Sequence, residues 1–137
     1  MFARIVVAID GSVEGGKTVP VAIEMASRFG SVVTVVHVRE HAKYEGSDVD
    51  LGPDISAEAL VEGTLERFRE AGIAAQGEIR RVRPGDTPEQ IVQVASDVEA
   101  DLIVLGTRGM TEWRSMLLGG VANKVVQHAH CPVLLVR

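Results

Sequence analysis

The strongest constraint on this chain is an alternation between apolar β-branched runs and stretches with helical spacing. "RIVVAI" (4–9), "SVVTVVHV" (31–38), "DLIVLG" (101–106) and "CPVLLVR" (131–137) are near-continuous apolar runs. That is the pattern of strands buried on both faces. "IAAQGEIRRVRPG" (73–85) reads as a weaker strand, alternating at Ile79 and Val82. Between the runs lie helix patterns. The first extends from about Val13 to Phe29, apolar at Val19, Ala22, Ile23, Ala26 and Phe29, with Gly30 as its stop. The second covers 54–72, with Asp54 or Ser56 as N-cap and Gly72 at its end. The third covers 86–100, capped by Asp86 or Thr87, with Pro88 in the first turn and Glu89 after it. The fourth covers 119–129. Residues 39–53 are polar and carry Gly46, Gly52 and Pro53, which predicts a long loop, and 107–118 predict a loop with one helical turn.

Strands alternating with helices predict one α/β domain over 1–137, an open five-stranded parallel sheet with helices on both faces. Ligands of such sheets sit beyond the strand C-termini where the strand order reverses. The candidate segments are 10–12, 38–40 and 106–120. A chain of 137 residues, 46% hydrophobic and 24% charged, is a soluble globular balance. No apolar run approaches the ~18 residues of a membrane span. The beginning "MFARIVV" enters a strand pattern at once, so no secretory signal is expected. The lone Cys131 cannot form an internal disulfide, which makes a reducing cytoplasm the expected location. The net charge of −5 disfavours nucleic acid as a partner but leaves room for a small anionic ligand.

"GSVEGGKT" (11–18) reads literally as a phosphate-cradling loop, in which Lys17 and Thr18 would hold a triphosphate. A strand precedes it and a helix follows, and Pro20 favours a helix starting near Lys17. Against it, such a loop needs an acidic residue at the end of another strand to position Mg²⁺. The other strands end in "VVHV" and "DLIVLG", with Asp101 at the wrong end. The other reading is an ordinary helix start with coincidental residues.

A second glycine pattern is more specific. Gly106, Gly109 and Gly119 lead into a helix start. Glycines let backbone amides approach phosphate closely, and a helix N-terminus adds N–H groups and a positive dipole end. Residues 119–122 lie where an anion would be held. With "AIDGS" (8–12), "PGDTPEQIV" (84–92), "ADLIVLGTRG" (100–109), "LLGGVANKVV" (117–126) and "HCPVLLV" (130–136), the chain resembles the universal stress proteins along its whole length.

The resemblance implies strand order 3-2-1-4-5, a Rossmann-like sheet of the adenine nucleotide α-hydrolase-like type, and a homodimer through the last strand. It places adenine near Ala8, Ile9, Asp10 and Val38. It places ribose and phosphates along Gly106, Thr107, Arg108, Gly109, Gly119, Gly120, Val121 and Ala122. It puts Lys17 and Thr18 on the first helix, away from phosphate. ATP-binding members carry hydroxyl residues where this chain has Gly120 and Ala122. Two neutral donors, each contributing about 0.5–1.5 kcal/mol, are therefore missing. Gly120 still offers its amide, and Arg108 or Arg114 could supply charge. ATP, ADP or AMP is the expected cofactor, with Mg²⁺ where phosphates call for it. No position stands out as a general base, so the expectation is a non-catalytic, nucleotide-responsive dimer that signals stress through an unknown protein partner. The alternatives are an interaction module of the same fold that has lost its nucleotide, and a slow ATP hydrolase.

Other residues carry weaker readings. Asp10 either contacts the ligand or caps the turn after the first strand. Trp113 either covers a ligand or anchors an interface, or packs its loop on the domain. His37, His41, His128 and His130 lack metal-ligand spacing with Cys131; His37 reads as a core residue and Cys131 as a buried, inert thiol. "IRRVR" (79–83) reads as a solvated strand edge. The apolar strand at 132–137 would leave a sheet edge that invites pairing, which by itself favours a homodimer.

Overall fold

A computed structural model of the chain describes residues 1–12, 15–107 and 120–137. The strands are β1 (Arg4–Ile9), β2 (Val32–Tyr44), β3 (Ser47–Asp50), β4 (Ala75–Val82), β5 (Leu102–Gly106) and β6 (Val133–Val136). The α-helices are α1 (Thr18–Phe29), α2 (Ala57–Glu70), α3 (Thr87–Asp97) and α4 (Gly120–His128). Five strands are parallel in the order β4-β2-β1-β5-β6, which in the five-strand count of the sequence is 3-2-1-4-5. The short β3 pairs antiparallel to the far end of β2, so the sheet is mixed rather than purely parallel.

Strand alternation sorts the interior into two halves. Ile5, Val7, Ile9, Val33, Val35, Leu102 and Val104 pack against α1 and α2, whose inward residues include Val19, Ala22, Leu65 and the fully buried Phe68. Val6, Val36, Ile103 and Leu105 pack against α3 and α4 through Ile91, Val94, Ala122 and Val125. Helices on both faces explain why these strands read as continuous apolar runs.

Two helix ends follow local chemistry and the start of α3 does not. Gly30 ends α1 in the left-handed region at φ 63°. Ser56 Oγ accepts from Ala59 N–H at 3.1 Å and caps α2. Asp86 occupies the N-cap position of α3 but makes no side-chain capping bond. Glu40, reaching across from β2, supplies the carboxylate instead: its Oε2 accepts from Gly85 N–H at 3.1 Å and from Thr87 Oγ1 at 2.8 Å.

The predicted long loop at 39–53 is overturned. β2 runs on to Tyr44 and turns back through Glu45 (φ 50°) and Gly46 (φ 80°) into β3. Two consecutive positive φ values make a two-residue hairpin turn whose twist matches the strands it joins. Residues 39–44 are polar because this arm leaves the core, and polarity masked the strand. Leu51 N–H donates to Glu40 C=O at 2.9 Å and continues that pairing.

Candidate functional site

β1 and β5 lie side by side at the centre of the sheet. α1 follows β1 onto one face, and α4, after β5 in the chain, packs on the other. This is the point where the strand order reverses, the place where sheets of this kind form a ligand crevice beyond the strand C-termini. Ala8 near the end of β1, Val38 on β2, and Val121 and Ala122 in the first turn of α4 all pack with the α3–α4 half of the interior. Four of the sequence-chosen positions are thus gathered on one face. Ile9 is not among them: its side chain is buried in the α1–α2 half. Gly106 pairs with Val136, and Thr107 N–H donates to Val136 C=O at 2.9 Å, so β6 fixes the exit of β5. Gly120 opens α4. Arg108, Gly109, Trp113, Arg114 and Gly119 lie outside the described residues.

Asp10 follows the last residue of β1. Its Oδ1 accepts from Ser12 N–H at 2.9 Å, the two-residue local turn that aspartate favours. The capping reading of Asp10 is therefore observed, and Oδ2 is not part of that bond. Gly11 carries φ 81°, and a Cβ there would lie 3.0 Å from Pro53 Cγ. Glycine is required both by the backbone and by the close approach of the 50–53 segment.

The phosphate-loop residues stand differently from either reading. Gly15–Lys17 form a short 3₁₀ turn, and Lys17 is the exposed residue before α1 rather than a member of it. Thr18 is fully buried, and its Oγ1 has no hydrogen-bond partner among the described residues. A hydroxyl enclosed in this way is not presented to a metal or a phosphate in solvent.

Sequence reasoning read His37 as a core residue, which it is, but missed the buried charge of Arg39 beside it. His37 is 2% exposed, and its Nδ1–H donates to Ile9 C=O at 2.9 Å. Burial pulls the imidazole pKa below its ordinary value, against the raising effect of that backbone bond, and the neighbouring Arg39 charge lowers it further. Arg39, 5% exposed, stands 3.4 Å from His37 Nε2. Its Nε donates to both carboxylate oxygens of Asp50, at 3.0 and 2.9 Å, and Nη2 donates to Pro53 C=O. Gly52 packs on the guanidinium so closely that a Cβ would lie 2.6 Å from Nε. Arg39 thereby pins the return of the β2–β3 hairpin over the end of β1. The only signal in the sequence was a glycine and a proline after an acidic residue, which also describes a loop.

One further reading can be placed. Cys131 is half-buried, and burial together with Asp101 raises its thiol pKa, which disfavours the reactive thiolate. Among the described residues no group of three His, Cys, Asp or Glu could hold a metal ion, and no helix is long and apolar enough to cross a membrane.

A family model described as the universal stress protein family matches residues 1–137. A universal stress protein of Thermus aquaticus is 38% identical over 142 residues, with 100% of each chain covered. Among solved structures, universal stress protein UspA from Lactobacillus plantarum superposes with a TM-score of 0.80 at 23% identity, covering 99% of this chain and 98% of that one. A universal stress protein from Archaeoglobus fulgidus in complex with dAMP matches with a TM-score of 0.73 at 27% identity, covering 100% of both chains.

Proposed function

The chain belongs to the universal stress protein family, and from that premise we propose that it binds an adenine nucleotide (ATP, ADP or AMP) without catalysing its turnover. The observation that carries this reading is the gathering of Ala8, Val38, Val121 and Ala122 on one face at the strand-order reversal. The dAMP complex of the Archaeoglobus fulgidus relative supports an adenine nucleotide as the ligand class. Adenine would lie against Ala8, Asp10 and Val38; Ile9, which the resemblance names with them, turns its side chain into the α1–α2 half. Ribose and phosphates would run along Gly106 to Gly109 and meet the backbone amides at Gly119 to Ala122. Mg²⁺ keeps most of its waters and needs few carboxylates, so it would enter with the phosphates, with Asp10 as a protein ligand of suitable chemistry.

Ala122 bears on the missing hydroxyls. Its side chain is 2% exposed, inside the α3–α4 half of the interior. A hydroxyl at 122 would start from a buried position, so its absence weakens phosphate binding less than the motif suggests. The protein would act as a homodimer through 132–137; β6 is an edge strand whose four residues are half-buried in the single chain. Nucleotide occupancy would alter the surface offered to a protein partner during stress, in the cytoplasm.

Calorimetry with ATP, ADP and AMP, each with and without Mg²⁺, tests the reading. Saturable heat that is lost in Gly106→Val, with native mass spectrometry reporting a dimer, is the expected result. No heat at about millimolar ligand, on the order of 4 kcal/mol of binding free energy, overturns it. That outcome selects the second reading, favoured by Gly120 and Ala122: an interaction module of this fold without nucleotide.

A further inference from the structure

Val32 N–H donates to Ala3 C=O, at the β1 side of β2, whereas Val33 N–H donates to Ala74 C=O, at the β4 side. Even-numbered residues of β2 therefore direct their backbone groups toward β1, and odd-numbered ones toward β4. Leu51 N–H bonds Glu40 C=O, an even position. β3 thus lies on the β1 side and prolongs the line of β1 beyond its last residue. On the other side β4 stops at Val82, opposite Glu40, while β2 continues to Tyr44. One step further, the parallel register would ask residue 84 to donate to His41 C=O. Residue 84 is proline, which has no N–H. His41 C=O and both backbone groups of Lys43 consequently face a side where no strand pairs with them among the described residues.

That open edge borders a groove of about 700 Å³ between the hairpin arm and the exit of β4. Its cationic lining is Lys43, Arg81 and Arg83, beside the imidazole of His41, and its acidic lining is Asp48 and Asp86. His41 Nδ1 lies 3.5 Å from Asp48, and Arg81 bonds Glu58 at 2.8 Å. Lys43 and Arg83 have no carboxylate partner among the described residues, and both are exposed on a chain of net charge −5. His41 Nε2 is buried with no hydrogen-bond partner among the described residues, and Tyr44 at the arm's tip is 63% exposed. Glu40, bonded to Gly85 and Thr87, holds the floor in place.

We propose that the open edge of β2 at His41–Tyr44 takes an extended, acidic segment of a partner protein as an added strand. Main-chain bonds to His41 and Lys43 would supply the pairing, carboxylates at alternate positions would meet Lys43 and Arg83, and Tyr44 would cover an apolar position between them. The proposal is independent of nucleotide binding.

A fluorescein-labelled peptide of alternating valine and glutamate, read by anisotropy against the full chain, is the test. The expected result is saturable binding that weakens about tenfold or more in the Lys43→Glu/Arg83→Glu double variant, with slowed amide exchange at Lys43. On the unaltered chain, the same peptide N-methylated at alternate residues should lose binding, because it cannot extend the ladder. Absence of saturable binding at about millimolar peptide overturns the proposal. So does equal binding of the N-methylated peptide, or of one with lysine in place of glutamate. Preferential binding of a single-stranded oligonucleotide would reassign the groove to nucleic acid and overturn it as well.

Discussion

Replacing Arg39 with methionine separates two opposed terms. The variant keeps an unbranched stem of similar reach but removes the guanidinium. Lost are the bond to Pro53 C=O and the two-oxygen contact with Asp50. A hydrogen bond from a charged donor contributes about 1.5–3 kcal/mol. The Asp50 side chain is 44% exposed, so that ion pair is discounted to about 0–1 kcal/mol. Opposing both is relief from burying a guanidinium that is 5% exposed; removal of a buried charge returns several kcal/mol when its partners can rehydrate. Asp50 can rehydrate, whereas Pro53 C=O beneath the arm does so poorly. The balance is a loss of about 2 kcal/mol, within a range of about 1–3. Urea unfolding should show a lowered midpoint with an unchanged slope, and amide exchange should quicken across 47–53 before the rest of the sheet. The His37 imidazole should titrate higher, because the Arg39 charge that opposes its protonation is gone. A variant as stable as the parent, or more stable, would mean that desolvation dominates and that Arg39 is no clamp.

The remaining predictions concern packing and protonation. A Cβ at Gly77 would lie 2.5 Å from Val61 Cγ1 and 3.3 Å from Leu65 Cδ1, so Gly77→Ala should cost about 1–3 kcal/mol by pushing α2 off β4; an unchanged denaturation midpoint would sink the close-approach argument. Because His37 is held neutral, the unfolded chain binds a proton below its ordinary value of 6.5 and the folded chain does so only at lower pH. Stability should therefore be flat above that value and fall as pH drops toward the folded value, and His37→Gln should remove part of this slope. Asp50 acts in a separate, more acidic window. Its pKa is lowered first by the Gly52 N–H bond, so its contribution is present above its ordinary 3.8 and is lost only as pH falls through the still lower folded value.

What could be read from the sequence was whatever a single residue or a short period decides. β1 was placed at 4–9 because five apolar residues in succession admit little else beside an amphipathic helix. Ser56 and Gly30 announced their helix ends because capping is local. The failures were non-local. Asp86 had the right residue type for a cap, yet the bond comes from Glu40, 47 positions from Thr87. Residues 39–44 hid a strand because the burial of Arg39 depends on Asp50 and Pro53 arriving from the return arm. At the crevice, glycines and strand ends marked 38–40 and 106–120, and Ala8 came only from the family resemblance; the inward packing of Val38 with Ala8 required the register of β2 on β1.

Val6 and Val7 are chain neighbours, both without exposed surface, yet they belong to opposite halves of the interior. The backbone of one sheet stands between them, so a void opened beside one cannot be filled by the other. Paired losses across this partition should add, whereas those on one side should couple. Compensating changes during divergence are then expected at positions two apart along a strand, seldom at adjacent ones. Each half can drift in sequence while its counterpart keeps its own record of descent.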